Sequence, residues 1–452
     1  MVNIVTEISK YLMAILIAVY TVESFVVFGY DEYTRRGAMK RQTFLVFLIH
    51  FIAFLVLFLG TNELRIAYFY LAQAVLLLFL YLLYTMLYPK VSRLVVNHMC
   101  ILLATGFIIL TRLAYNEAMR QFTFAVGSVI VSLFVPIIIR KIKMLEKLRM
   151  FYGIVGVVAL LTVIISGVRT NGALLGFYIG PIFIQPFELV KIVFVFFVAA
   201  SFKKSTEFKN IVITTCVAAA HVLILVASRD LGTAVIIFIT YLMMLYVATR
   251  QPLYLLAGLG AGAGASVVAH RFFSHVRVRV NAWKDPFADY SGGGYQIANS
   301  LFAIGTGGWF GVGLLQGMPD KIPVATEDLV FSAICEEMGL LFGLCLVLIC
   351  LSCYIMFLNI AMQLRNVFYK LVALGLGTCY IFQVFLNVGG VTKFIPSTGV
   401  TIPFVSHGRT SLLSTLIMFA IIQGLYILRE DEEETIERKK EQQEKSEKRR
   451  RY

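Results

Sequence analysis

Apolar residues in this chain come in runs, and the runs have the length of membrane crossings. Thirteen can be marked off, at about 11–28, 43–60, 66–88, 97–114, 121–139, 150–168, 185–202, 210–227, 231–248, 252–269, 328–357, 368–392 and 411–428. About 18–25 apolar residues span the hydrocarbon core only as a helix, because a helix satisfies its own backbone where there is no water. The pattern predicts an all-α polytopic membrane protein of about 13 transmembrane helices. The eleventh run is long enough to extend beyond the bilayer.

The polar stretches between the runs test that count. Lys and Arg cluster in alternate loops: Arg35, Arg36, Lys40 and Arg41, then Lys90 and Arg93, then Arg140 to Arg149, then Lys203, Lys204 and Lys209, then Arg250, then Arg365 and Lys370. The intervening loops at 61–65 and 115–120 carry one Arg each. Positive loops stay in the cytoplasm, so the N-terminus is expected outside and the C-terminus in the cytoplasm. Residues 270–327 form a long Gly- and aromatic-rich outer stretch, expected to be a folded loop between the tenth and eleventh helices. Residues 429–452 hold nine basic and nine acidic residues, a cytoplasmic charged tail.

Composition agrees. Hydrophobic residues make up 59% of the 452 and charged residues 15%, where soluble domains carry about 25% charge. The net charge of +14 lies in the loop clusters, so a nucleic-acid partner is not expected. Cys100, Cys216, Cys335, Cys345, Cys350, Cys353 and Cys379 all fall in apolar stretches with no metal-binding spacing, and they read as small buried hydrophobes. Glu23 interrupts the first run and no small-residue cleavage site follows, so no cleavable signal peptide is expected.

Ionisable residues inside spans are costly and mark function by default. Glu188 and Lys191 share one face of the seventh span and can pair; holding the bundle together would explain them equally well. Asp230 opens the ninth span beside Arg229, where capping is the plain explanation. Glu327, Asp328, Glu336 and Glu337 crowd the start of the eleventh run, with Asp328 and Glu336 expected near one helical face. Lys393, His407 and Arg409 lie between the last two spans, and Arg277 and Arg279 in the long loop. Acids and bases thus gather on one side of the membrane, as an anionic, membrane-bound substrate would require.

Several motifs follow in order. They are Gln185-Pro186-Phe187-Glu188 with Lys191, then Asp230-Leu231-Gly232-Thr233, then Gly294-Tyr295-Gln296 with Ser300 and the glycines 305, 307, 308, 311 and 313. Asp328-x-x-Phe331, Glu336-Glu337-x-Gly339, Asn387-x-Gly389, Pro396-x-x-Gly399 and Pro403-Phe404-x-Ser406 complete the set. From about residue 97 to 428 the chain resembles the SEDS family (shape, elongation, division and sporulation) of RodA/FtsW/SpoVE-like cell-wall polymerases. It departs from the family pattern at Phe187, Arg229, Glu327, Lys393, His407 and Arg409.

The resemblance implies a ten-helix catalytic domain at 97–428, preceded by three extra helices in 1–96 that are expected to pack beside it. It implies a multi-pass protein of the bacterial cytoplasmic membrane that polymerises lipid II by an inverting displacement. Asp328 would be the catalytic base, with Glu336 assisting. Arg277, Arg279, Tyr295, Gln296, Lys393, Ser406 and Arg409 would contact substrate. Asp230 and Glu337 are further motif acids. A divalent cation, Mg or Mn, could bridge Asp328 and diphosphate, although no residue pattern fixes one. The implied partners are lipid II, membrane lipids and a class B penicillin-binding protein. The alternatives are a lipid II flippase and a non-enzymatic division scaffold.

Overall fold

The computed structural model describes residues 2–170, 173–180 and 182–450. Along the chain come α1 (Val2–Val26), α2 (Glu32–Thr61), α3 (Leu64–Leu87), α4 (Arg93–Leu113), α5 (Tyr115–Lys141) and α6 (Arg149–Ser166). Strands β1 (Val168–Thr170), β2 (Ala173–Ile179) and β3 (Ile182–Ile184) follow, then α7 (Pro186–Lys204), α8 (Phe208–Ala227), α9 (Leu231–Thr249) and α10 (Pro252–Phe272). The rest is α11 (Ser274–Lys284), α12 (Tyr295–Gly307), α13 (Val330–Met338), α14 (Leu340–Gln363), α15 (Val367–Val391) and α16 (Arg409–Arg450). Twelve of the described helices are long and apolar enough to cross a bilayer. The 19-residue α7 also has the length; Glu188, Lys191, Lys203 and Lys204 make it less apolar. Counting α7 would reach the thirteen crossings expected from the apolar runs; with the twelve alone, the chain is an all-α multi-pass membrane protein.

Helix α4 is the axis of the bundle. From Leu94 to Thr111 every residue is buried, among α2, α3, α5, α13, α14 and α16. The N-terminal helices are fastened to it by polar side chains. Tyr20 Oη lies 2.9 Å from His98 Nδ1, and His98 Nε2 lies 3.0 Å from Ser352 Oγ on α14. Thr43 donates to Asn97 Oδ1 at 2.9 Å, and Asn97 donates to the Met39 carbonyl at 3.0 Å. Interhelical bonds of this kind contribute about 0.6 kcal/mol each in a membrane, so several together fix one register. At the opposite extreme, α10 has no buried residue and packs on α9 and α11.

The two ends of the bundle are distinct. At one end Tyr11 of α1 packs on Phe310, with ring centroids 5.2 Å apart. At the other, Asp431 of α16 accepts from Lys90 at 2.8 Å and Arg140 at 2.7 Å. The charged tail is therefore not a separate element. It continues the last crossing as one helix, held at its root by these bonds.

Four expectations need correction. The run 328–357 is not one helix: it breaks at Gly339, which has φ +94°. A Cβ there would stand 2.5 Å from the Gly311 nitrogen, so the close crossing of the 308–311 loop requires glycine. Asp328 lies before α13, and Asp328 and Glu336 therefore do not share a helical face. The stretch after α6 holds a three-stranded antiparallel sheet in the order β1-β2-β3; β1 and β3 have three residues each, and the seven of β2 are apolar without alternation. Finally, Cys216 is exposed on the outer surface of α8 while the other six cysteines are buried; in a bilayer that surface meets lipid.

Candidate active site

The ends of three helices meet around a cavity of about 310 Å³. Helix α7 begins there at Pro186, α9 at Leu231 and α16 at Arg409. Each N-terminus brings the positive end of a helix dipole toward the cavity. The charged side chains of the wall are Glu188, Lys191, Arg229, Asp230, Arg279, Glu327, Asp328 and Arg409.

The floor is a buried ion pair. Lys191 Nζ is 3.0 Å from Glu188 Oε2, with side chains 1% and 8% exposed. Ser414 of α16 donates to Glu188 at 3.0 Å, and Lys191 donates to Gln383 of α15 at 2.7 Å. Gln383 in turn donates to the Thr401 carbonyl at 3.1 Å. The pair thus joins α7, α15 and α16 and reaches the segment that forms the far wall.

That far wall, residues 398–411, is fixed from several sides. Asn387 donates to the carbonyls of Asp328 at 2.8 Å and Val400 at 2.5 Å. Arg279 of α11 donates to the Thr398 carbonyl at 3.0 Å. Asp328 Oδ2 and Arg279 Nη2 lie 3.4 and 3.6 Å from where a Cβ on Gly399 would stand. Gly399 has φ +74°, so a side chain there would be strained and would enter the space between carboxylate and guanidinium. Gln121 of α5 clamps the next turn, donating to the Ser406 carbonyl and accepting from the Gly408 N–H, both at 3.1 Å.

Burial raises the pKa of Asp328 above that of a free aspartate; Asp230 raises it further and Arg279 opposes. Glu327 is raised for the same first reason, then by Asp328 and Glu117. His407 is lowered by burial, and its Nδ1 sits 3.0 Å from Glu117 Oε2. The Asp230 Oδ1 caps α9 through the Thr233 N–H at 3.1 Å, while its buried Oδ2 has no hydrogen-bond partner.

The structure therefore brings together Glu188, Lys191, Asp230, Arg279, Asp328 and Arg409. Ser406 stands just behind the wall, donating to the Glu327 carbonyl at 2.7 Å. Arg277, Tyr295, Gln296 and Lys393 do not line the cavity; Tyr295 packs on Tyr290 instead. Glu336 and Glu337 belong to a second node. Arg112 donates to Glu337 at 2.8 Å, and Glu336 accepts from the Met318 N–H at 3.1 Å, so both acids hold the 308–318 loop. Residues missed by sequence reasoning include Tyr178 and Phe183, which the sheet carries to the cavity, and Arg112, an ionisable residue at the end of an apolar run. Among the described residues no group of three or more His, Cys, Asp or Glu side chains is placed to hold a metal ion.

A helical bundle with a charged cavity at one end defines a polytopic membrane protein with a polar site at the bilayer edge. Residues 92–430 match the FtsW/RodA/SpoVE cell cycle protein model, and the chain belongs to that family. It is 32% identical to the peptidoglycan glycosyltransferase RodA of Mycobacterium leprae over 324 residues, which are 68% of this chain and 70% of that one. With the RodA of Mycobacterium tuberculosis it shares 42% identity over 200 residues, spanning 44% of this chain and only 42% of that relative. In fold it matches a chain of a peptidoglycan synthase complex, with TM-score 0.64 and 22% identity over 75% of this chain and 98% of that one. It also matches Thermus thermophilus RodA, with TM-score 0.56 and 22% identity over 74% and 96%.

The floor pair yields a stability test. Glu188→Gln leaves Lys191 charged and unpaired in a low-dielectric site, which costs about 3–5 kcal/mol. Its melting midpoint in detergent should drop sharply, and Glu188→Gln with Lys191→Met should recover most of the loss. Equal midpoints for the single variant and wild type would show that the pair holds nothing.

Proposed function

We propose that the chain is a peptidoglycan glycosyltransferase that joins lipid II units into glycan strands. The family and the names of its relatives support this reading. The observation that carries it is Asp328, a carboxylate of raised pKa facing a cavity rimmed by Arg279, Arg409 and three helix N-termini. The 4-hydroxyl oxygen of an acceptor GlcNAc attacks C1 of a donor MurNAc. Its proton passes to Asp328. The bond from C1 to the undecaprenyl diphosphate oxygen breaks with inversion, and the diphosphate keeps the electron pair. Developing negative charge on that leaving group is stabilised by Arg279, Arg409 and the helix N-termini, which already stand where that charge forms.

The raised pKa matters because a free carboxylate near pKa 4 is a weak base. Burial brings Asp328 closer to the pH at which the enzyme works. Asp230 reinforces the shift, and Arg279 keeps the deprotonated form populated. A class B penicillin-binding protein as partner would supply the crosslinking that a glycosyltransferase lacks. The alternation of basic loops supports a cavity on the outer face of the cytoplasmic membrane, with the α16 tail inside. An impermeant thiol reagent applied to intact cells should label a cysteine at Ser291 and spare one at Ser446; the reverse would invert the topology.

Purified protein given labelled lipid II in detergent should form a ladder of glycan strands, where a flippase would form none. Asp328→Asn keeps the shape but cannot take the proton, and polymerisation should fall about 10²–10⁴-fold. A folded Asp328→Asn enzyme with normal synthesis would end the assignment. The carboxylate must be deprotonated to act, so activity is lost as pH falls through its pKa. The acidic limb of the rate profile should therefore lie above the free aspartate value of about 3.9. Arg279→Gln removes the group that lowers the pKa and should move that limb further up; a downward shift would contradict the role given to Arg279.

A further inference from the structure

The cavity has one wall that the charge chemistry leaves unused. Strands β2 and β3 pair antiparallel, with Tyr178 opposite Phe183. Directly opposed residues share one face of the ladder, and the two rings meet with centroids 5.1 Å apart and planes at 51°. Both residues line the cavity that holds Asp328, Arg279 and Arg409. Tyr178 is nevertheless 61% exposed.

The pair is held in that position at two points. In β2 the Leu174 N–H donates to the Ser228 carbonyl at 3.0 Å, two residues before Asp230. Beyond β3 the Gln185 N–H meets Thr410 Oγ1 at 3.3 Å, next to Arg409. The sheet is thus tied to the starts of both α9 and α16, beside Asp230 and Arg409.

A cavity with a charged floor and one exposed aromatic wall suits a particular chemistry. A pyranose ring has a rim of hydroxyls and two faces of C–H groups. The rim satisfies charged and backbone partners, while a face covers an aromatic ring that has a large apolar surface and an electron-rich π cloud. Lipid tails would need the whole wall apolar, and a bare diphosphate would gain nothing from Tyr178.

We propose that Tyr178 and Phe183 form a stacking platform for a pyranose ring of the glycan, holding the saccharide over Asp328. This rests on the glycosyltransferase reading and adds to it the surface that grips the sugar rather than the diphosphate.

Two measurements on the full-length protein separate the platform from that reading. In lipid II polymerisation, Tyr178→Ala should raise KM about threefold to tenfold, the loss of one aromatic contact, with the loss falling on KM rather than kcat. Tyr178→Phe should restore most of the affinity. Separately, Tyr178→Trp places a fluorescent reporter on the platform, read against the background of Trp283 and Trp309. Its emission should shift and saturate on titration with a soluble GlcNAc–MurNAc tetrasaccharide, and adding Phe183→Ala should weaken that response. If wild-type protein makes no polymer while the tetrasaccharide still binds, the glycosyltransferase reading fails and the platform stands. If KM is unmoved in Tyr178→Ala and the emission of the Tyr178→Trp variant ignores the saccharide, the platform is overturned. A Tyr178→Ala variant that loses only membrane-inserted yield, with unchanged KM, would overturn it too, marking Tyr178 as a headgroup anchor.

Discussion

A charge in the hydrocarbon region must be paired or must reach a polar cavity, and the rest of the site follows from how this protein meets that condition. Lys191 and Glu188 pair at 3.0 Å, but a pair alone leaves donors and acceptors over. Gln383 and Ser414 take them up, so that α7, α15 and α16 can be assembled in only one way. Gln383 then reaches Thr401, and the floor of the cavity dictates where its far wall stands. Such a network is costly when half formed and strongly specifying when complete.

Fixing the helices fixes their ends. Three N-termini converge on one space, where four carboxylates, Glu188, Asp230, Glu327 and Asp328, face four cations, Lys191, Arg229, Arg279 and Arg409. Asp328 is then placed by its backbone rather than by its carboxylate: Asn387 holds the carbonyl, and the side chain stays available. Arg279 is held by its side chain instead, whose Nη1 donates to the Thr398 carbonyl. Acid and base stand close enough to tune each other, on either side of a glycine that leaves the gap open. The second node, with Arg112, Glu336 and Glu337, does comparable work one step away by holding the 308–318 loop against α13. Helix α1 packs on that loop through Tyr11 on Phe310, and α1, α2 and α3 contribute no residue to the cavity.

Much of this was legible in the sequence. Long apolar runs and alternating basic loops gave the crossings, because the bilayer imposes length and the cytoplasm attracts Lys and Arg. The pairing of Glu188 with Lys191 followed from helical spacing. The meeting of Asp328 with Arg279 was not legible, since α12 and a folded loop lie between them in the chain. The break at Gly339 was hidden inside a continuous apolar run and depends on another segment crossing there. The sheet that carries Tyr178 was hidden for a different reason: β2 is apolar without alternation, and the sheet lies between two apolar spans. Glu336 looked like a neighbour of Asp328 by counting residues along a helix that does not in fact begin until Val330. Arg112 carried the same signal as Glu188 and went unread because it lies at the end of its run.

The central claim is that a diphosphate-linked substrate sits where the starts of α7, α9 and α16 meet. The most direct test is to irradiate the full-length protein with an undecaprenyl diphosphate analogue carrying a photoreactive group beside the phosphates, and to map the adducts by mass spectrometry. The account predicts adducts within 183–191, 229–233 and 398–411, competed away by lipid II. Adducts confined to the α8–α10 face or to the end of the bundle near Asp431, equally competed by lipid II, would contradict it.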